Sequence, residues 1–251
     1  MSILNVKQHS RLALTGYHLL YSLVLSILIT ALIYFIWYPN HLYQATGVLP
    51  TVLMMFTLDL IVAPLLTFTI YKNNKKELAR DLIVVLALQI SALSYGLYVV
   101  EAGRPSYLVF AVDDFEVVSS FDNEWARQNI NKGMAETQSL GLFDKPKFVY
   151  SVGSDDRKIE VVKKLKEFVM RVPVIYRTDS YQDIEKAANI IQNRAKPLAE
   201  LTVNNNAQKV ESTLRHYPDA HGWLPLKATV IDMVVLTDSK GMVIDIVDLR
   251  P

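Results

Sequence analysis

The chain has no cysteine among its 251 residues. That absence excludes disulfide bonds, thiolate catalysis and thiolate metal sites, and it is compatible with an oxidising compartment. A strong excess of either charge is also missing, because the chain has 26 Lys and Arg residues and 25 Asp and Glu residues. Without a basic stripe the chain lacks the usual electrostatic signature of a nucleic-acid-binding protein.

Charge of any sign is scarce in the first part of the chain. Between Leu12 and Tyr71 the only charged residue is Asp59. Residues 1–104 carry 7 Lys or Arg and 4 Asp or Glu, whereas residues 105–251 carry 19 and 21. This asymmetry predicts a transmembrane domain over residues 1–104 and a water-soluble domain over residues 105–251.

Three apolar runs in the first part are long enough to cross a bilayer, which requires about 20 residues. They predict spans at about 12–37, 49–71 and 82–100. The first run is longer than the apolar region of a signal peptide, and no small-x-small cleavage site follows it. We therefore expect the first run to remain in the protein as a span.

The basic residues outside the spans predict the orientation. The N-terminal tail and the second loop contain six basic residues: Lys7, Arg11, Lys72, Lys75, Lys76 and Arg80. The first loop contains no basic residue, and only Arg104 closely follows the third span. Because basic loops stay in the cytoplasm, we expect a cytoplasmic N-terminus. Three spans then predict a multi-pass protein of the bacterial inner membrane with its C-terminal domain in the periplasm.

Asp59 lies in the middle of the second span, where a carboxylate costs at least ~2.5–3.5 kcal/mol on insertion scales. Ser26, Thr30 and Gln89 lie at a similar depth and predict a polar layer inside a three-helix bundle. Pro64 removes the backbone hydrogen bond to the Leu60 carbonyl and predicts a kink. Asp59 is then either bonded within the bundle or in contact with a polar group on another membrane helix.

The second part combines strand and helix signals. Residues 107–120 and 147–152 favour strands, whereas residues 123–139, 159–169, 181–201 and 207–216 have helical periodicity. Lys227–Leu236 and Met242–Leu249 predict a hairpin in which Gly241 takes the left-handed conformation. These signals predict an α+β domain with helices covering one face of a mostly antiparallel sheet.

The sequence contains no phosphate loop, dinucleotide fingerprint or nucleophile elbow. His216 and His221, with Asp219 between them, form the only conceivable metal cluster, and their spacing matches no standard ligand pattern. Asp113, Asp114 and Glu116 could suggest acid–base chemistry, but a solvated strand edge or turn explains them better. We therefore expect no catalytic residue, no metal, no cofactor and no small-molecule substrate, and a protein that is not an enzyme.

With these features the chain resembles the type IV pilin accessory protein family, the TfpX/TfpZ group. The resemblance is based on several short motifs along most of the chain: Trp37-Tyr38-Pro39, Gly47, Asp59–Thr67, Lys76, Asp81, Gln89, Ala92-Leu93, Tyr95-Gly96, Arg104-Pro105, Leu108–Phe110 and Trp223-Leu224-Pro225. The chain departs from the family pattern at Ala63, where Gly is usual, at Asp114, where Arg is usual, and at Arg250-Pro251, where the family ends in Pro-Trp.

This resemblance implies a chaperone-like accessory factor in type IV pilus (fimbrium) biogenesis. Such a factor binds a major type IV pilin and promotes its stability and assembly, and the family implies no catalytic residue. A pilin waits in the inner membrane by its N-terminal helix, so spans and a periplasmic domain could contact both of its parts. We expect Trp223 to contact the pilin head and six residues to receive the pilin helix: Asp59, Ala63, Pro64, Thr67, Gln89 and Ser91.

Two other functions compete with this interpretation. One is a membrane-anchored periplasmic sensor or ligand-binding module, which would need a cytoplasmic output. The segments expected inside the cell have only about 11 residues each, which disfavours a sensor. The other is a membrane enzyme that uses either the acidic cluster around Asp114 or the two C-terminal histidines.

Overall fold

The computed structural model describes residues 11–71, 77–130, 139–152 and 172–251. The chain divides into two compact units. One consists of Met1–Ile33 and Val48–Glu101, and the other of Tyr34–Gly47 and Ala102–Pro251. The second unit is therefore built from two separate stretches of sequence.

The first part of the chain is helical. Its helices are α1 (Arg11–Trp37), α2 (Leu42–Ala45), α3 (Leu49–Ile70) and α4 (Leu78–Ala102). Within the described residues, α1, α3 and α4 are the helices long and apolar enough to cross a membrane. Their outward faces consist largely of exposed Leu, Ile, Val and aromatic side chains, as expected of helices that face lipid.

Helix α3 changes its winding around Asp59. Leu58–Val62 forms a π-helical turn immediately before Ala63 and Pro64. Since Pro64 has no N–H to donate to the Leu60 carbonyl, the regular ladder is interrupted here, and a wider turn is accommodated. The sequence predicted a kink at this point, and the structure has a π-helical turn.

The second unit contains one eight-stranded sheet among the described residues. Its strands are β1 (Pro105–Ala111), β2 (Asp114–Ser119), β3 (Lys147–Ser151), β4 (Tyr181–Asp183), β5 (Lys196–Pro197), β6 (Gly222–Lys227), β7 (Met233–Thr237) and β8 (Val243–Val247). The order is β4-β3-β1-β2-β6-β7-β8, and β5 pairs with the start of β6. The unit also has helices α5 (Ser120–Asn129), α6 (Ala188–Arg194), α7 (Leu201–Asn204) and α8 (Ala207–Leu214).

The sheet is mixed, so the prediction of a mostly antiparallel sheet is wrong. Strand β1 pairs in parallel with β3, and β2 pairs in parallel with β6. These two pairs join an antiparallel β1–β2 hairpin to its neighbours on both sides. The parallel pairs connect strands that lie far apart in the sequence, which local periodicity does not reveal.

Several local predictions need correction or fall outside the described residues. Residues 107–120 form two strands rather than one, because the chain turns at Val112 and Asp113. The helix expected over residues 181–201 is broken into β4, a 3₁₀ turn, α6 and β5. The helix expected over residues 159–169 lies outside the described residues.

The C-terminal hairpin is confirmed, with strands somewhat shorter than expected. Strands β7 and β8 are antiparallel, and Gly241 has a φ of 79°. Asp238 accepts hydrogen bonds at Oδ1 from the backbone N–H groups of Lys240 and Met242, both at 2.8 Å. The left-handed glycine and the Asp238 side chain together close the turn.

The segment Tyr34–Gly47 is bonded into the second unit. Val230 and Ile231 both donate a backbone N–H to the Ala45 carbonyl, at 3.0 and 3.1 Å. Gly47 has a φ of 69°, and a Cβ atom there would lie 2.7 Å from Val230 Cγ2. Glycine is therefore required at this position both for the backbone angle and for the close approach.

Arg104 is the main polar link within the second unit and is only 2% exposed. Its guanidinium donates to the carbonyls of Leu140, Gly141 and Leu142 at 3.0–3.2 Å and to Ser120 Oγ at 3.1 Å. It also lies 5.6 Å from the centre of the Trp37 ring. One side chain thus joins the end of α1, the start of α5 and the segment before β3.

We predict that Arg104→Lys lowers the free energy of unfolding of the second unit by about 2 kcal/mol, because one ammonium cannot replace a five-donor planar group. Thermal unfolding of the purified full chain in detergent measures the change. Arg215→Lys is the matched control, since Arg215 is exposed and pairs only with Glu211 one turn earlier in the described contacts. Equal melting temperatures for both variants would contradict the role of Arg104.

Candidate functional site

A groove opens on the first unit between α3 and α4 and has a volume of about 230 Å³. Asp59 and Gln89 supply its polar groups, and its other lining residues are apolar: Met55, Leu58, Val62, Ala63, Leu66, Val85, Leu88, Ala92 and Leu93. The groove is therefore lined almost entirely by apolar side chains, with one carboxylate and one amide among its lining residues. Small side chains at positions 63 and 92 leave room for close approach of another helix.

Asp59 is 2% exposed and is bonded within the bundle. Its Oδ2 accepts a hydrogen bond from Ser26 Oγ at 3.0 Å, and its Oδ1 accepts a short one from Gln89 Nε2. A carboxylate has about four acceptor positions, and the described bundle contributes these two donors. Asp59 is thus held in place by α1 and α4, and it lines the groove with acceptor positions in excess of these two donors.

Gln89 extends this network toward α1. Its Nε2 also donates to Ser22 Oγ at 2.8 Å, and its Oε1 lies 2.6 Å from His18 Nε2. His18 Nδ1 lies 2.7 Å from Thr67 Oγ1. Since the Gln89 amide group is used as a donor, its Oε1 accepts from His18 Nε2, so a proton resides on that ring nitrogen.

The network runs from Thr67 through His18 and Gln89 to Asp59, and it joins all three apolar helices. In an environment without water each of these groups needs an internal partner, and here the bundle supplies it. The polar layer expected around Asp59 includes Ser26 and Gln89 as predicted. Thr30 is only attached to it, because its hydroxyl donates to the Ser26 carbonyl at 2.7 Å.

His18 and Ser22 are the site residues that the sequence reasoning missed. They precede Ser26 by eight and four residues, so the three lie on one face of α1. A search for polar residues at helical spacing within an apolar run would have found this stripe. The signal is masked by the apolar residues around it, which dominate the average hydropathy of the segment.

The structure brings together three of the six residues predicted to receive a pilin helix. Asp59, Ala63 and Gln89 line the groove. Pro64 and Thr67 are buried inside the bundle instead, with Thr67 against His18. Ser91 is exposed, lies outside the groove and donates to the Ala87 carbonyl one turn earlier, at 2.8 Å.

Trp223, the residue predicted to contact the pilin head, lies in the second unit and is 2% exposed. Its Nε1 donates to the Pro197 carbonyl at 3.0 Å, and Lys196 Nζ lies 4.7 Å from the ring centre. The ring packs in a core that includes Leu201, Val210 and Leu236. Trp223 therefore packs inside the second unit, and its contact with a pilin head stays a prediction.

The acidic cluster that could have suggested an enzyme lies at the pairing of β2 with β6. Asp114 Oδ2 forms an ion pair with Lys227 Nζ at 2.5 Å. Burial raises the pKa of Glu116, and the negative charge of Asp114 raises it further. Asp113 occupies the turn between β1 and β2, as expected. Position and pairing therefore identify Asp114 as a structural residue of the sheet.

We predict that Gln89→Leu destabilises the helical bundle by about 1 kcal/mol, because Asp59, Ser22 and His18 each lose a partner in an apolar environment. Detergent-induced unfolding in mixed micelles measures the loss. Ser91→Ala is the control, since it removes an exposed hydroxyl from the same helix. The interpretation is wrong if the two variants are equally stable.

Comparison with known proteins gives relatives of one kind. The serogroup I fimbrial assembly protein of Dichelobacter nodosus is 28% identical over 213 residues, which are 83% of this chain and 80% of the relative. The serogroup E1 protein of the same bacterium is 27% identical over 201 residues, 78% of this chain and 76% of the relative. The fold has no match among solved structures, and no family model matches the sequence.

A third relative has the highest identity of these three. The fimbrial assembly protein of serogroups C1 and C2 is 32% identical over 111 residues, which are 43% of this chain. This chain covers 85% of that relative. Together with the two longer matches, this similarity shows that the chain belongs to the fimbrial assembly protein family.

Proposed function

We propose that the protein acts in fimbria assembly by binding the major type IV pilin in the bacterial inner membrane, where it promotes pilin stability and incorporation as a chaperone-like factor of the TfpX/TfpZ group. We propose no enzymatic activity and no cofactor. The observation that carries the proposal is the groove between α3 and α4, in a chain whose relatives are named fimbrial assembly proteins.

The chemistry of the groove supports a membrane helix as its ligand. Apolar side chains form most of the lining, and an apolar helix would replace lipid against them at little desolvation cost. Ala63 and Ala92 permit close backbone approach, while Asp59 offers acceptor positions to a polar donor on the incoming helix. The bundle holds Asp59 in place before the ligand arrives, which reduces the entropy lost on binding.

The second unit would supply a second contact, with the globular head of the pilin. A partner held at its membrane helix is at high effective concentration for a head contact, so two weak contacts reinforce each other. Its surface carries exposed apolar side chains, such as Phe121 on α5 and Val203 on α7. The head contact requires that this unit lies in the periplasm, on the side opposite to the basic loops.

We predict that Ala92→Trp reduces pilin capture at least about tenfold, because the indole fills the groove that the pilin helix would occupy. Ala92 is exposed, so the substitution leaves the packing inside the bundle unchanged. Pilin recovered with the purified protein from detergent-solubilised membranes measures capture. Ala87→Trp is the matched control, because Ala87 is also exposed on α4 but does not line the groove.

Equal capture by the two tryptophan variants would exclude the groove as the pilin site. Asp59→Asn and Asp59→Leu then measure how much the carboxylate itself contributes to pilin capture. Asn retains hydrogen bonding with Ser26 and Gln89, whereas Leu leaves both without an acceptor at this position. Unchanged capture by both variants would show that Asp59 has a structural role only.

We predict that cysteines at positions 77 and 203 lie on opposite sides of the inner membrane. The wild-type chain has no cysteine, so a single substitution gives a unique label. After permeabilisation of the outer membrane, an impermeant maleimide should modify Val203→Cys, and it should modify Glu77→Cys only after lysis. Both residues are exposed, so burial does not limit labelling. Labelling of position 77 before lysis would contradict the proposed orientation.

A further inference from the structure

A tight turn in the second unit presents two large apolar side chains to the outside. In the segment Gly141–Asp144, the Asp144 backbone N–H donates to the Gly141 carbonyl at 3.1 Å, and Asp144 Oδ2 accepts from the Gly141 N–H at 2.8 Å. Leu142 and Phe143 occupy the two corners and are 52% and 72% exposed. Adjacent exposed side chains of this size on an ordered turn indicate an interaction surface.

The turn is fixed from inside the unit. Arg104 donates to the Gly141 carbonyl at 3.0 Å and to the Leu142 carbonyl at 3.2 Å. Trp37 Nε1 donates to the same Leu142 carbonyl at 2.7 Å. These hydrogen bonds fix the backbone of the turn, while the side chains of Leu142 and Phe143 remain exposed.

Trp37 and Arg104, which donate to the turn, also lie at or near the ends of two long apolar helices. Trp37 is the last residue of α1, and Arg104 follows the end of α4 at Ala102 by two residues. Strands β1 and β3 are parallel, with Tyr107 beside Lys147, so β3 starts at the same edge of the sheet where the chain leaves α4. The turn immediately before β3 is therefore bonded directly to the last residue of α1.

The neighbouring side chains have the composition of a membrane interface. Tyr34 and Phe35, on the last turn of α1 in the same unit, are exposed. Lys145 and Lys147 follow the turn and are exposed as well. Aromatic and apolar side chains beside lysines are the combination that enters the headgroup region and contacts anionic lipid.

We propose that Leu142 and Phe143 insert into the interfacial region of the bilayer and anchor the second unit to the membrane surface beside the end of α1. Lipid rather than protein is the proposed ligand because the turn is bonded to Trp37, the last residue of a helix long and apolar enough to cross a membrane. This inference depends on neither the proposed pilin binding nor the side of the membrane on which the unit lies.

A single-cysteine label tests the insertion. The full chain carrying Phe143→Cys is labelled with the environment-sensitive fluorophore NBD. It is then reconstituted alone into vesicles of phosphatidylethanolamine and phosphatidylglycerol. Quenching is measured with lipids that carry a nitroxide near the headgroup and, separately, with aqueous iodide. Val203→Cys is the matched control, because Val203 is 79% exposed on α7 of the same unit.

We expect the label at position 143 to lose about half of its emission to the nitroxide lipids and to be shielded from iodide. The label at position 203 should be quenched by iodide and not by the nitroxide lipids. A label on Leu142→Cys tests the same turn independently, and the same quenching pattern as at position 143 supports insertion. Iodide quenching at positions 142 and 143 as strong as at position 203 would overturn the proposal. Shielding from both quenchers would also overturn it, since it would indicate contact with a second copy of the chain.

Discussion

A carboxylate in the middle of an apolar helix needs hydrogen-bond partners from its own protein, and this constraint organises the first unit. Asp59 obtains them from Ser26 on α1 and Gln89 on α4. Gln89 in turn requires Ser22 and His18, so one buried acid fixes the positions of polar groups on three helices. In lipid, where apolar packing between helices gains little over packing with acyl chains, such bonds also define which faces meet.

If the groove binds a membrane helix as proposed, the same network would make it selective. Lipid can cover any apolar face, so an apolar groove alone is a poor discriminator between partner helices. The carboxylate of Asp59 would add a directional requirement, because only a helix with a suitable donor at the matching depth would gain a hydrogen bond there. The π-helical turn at Leu58–Val62 supports this geometry, since it places Asp59 within a widened segment of α3.

The sequence was a good guide where the signal is local. Long apolar runs predicted the three helices to within a few residues. A glycine between two apolar runs predicted the last hairpin and the left-handed conformation of Gly241. The sequence was a poor guide to the parallel pairs β1–β3 and β2–β6, because these join distant strands. Pattern matching also misread residues 181–201, where Lys196 and Pro197 pair with β6 and so interrupt the helix. Of the candidate site, Asp59 and Gln89 were identified because polar residues are rare in spans, whereas His18 was missed.

The Ala45 carbonyl has a consequence for the order in which the protein is completed. It accepts the backbone N–H groups of Val230 and Ile231, although about 185 residues separate them along the chain. The segment that contains Ala45 is synthesised early, long before Val230 and Ile231 exist to donate to its carbonyl. The second unit can therefore be completed only when its last strands reach a segment made near the start of the chain, and a fragment that begins at residue 105 would lack part of its own fold.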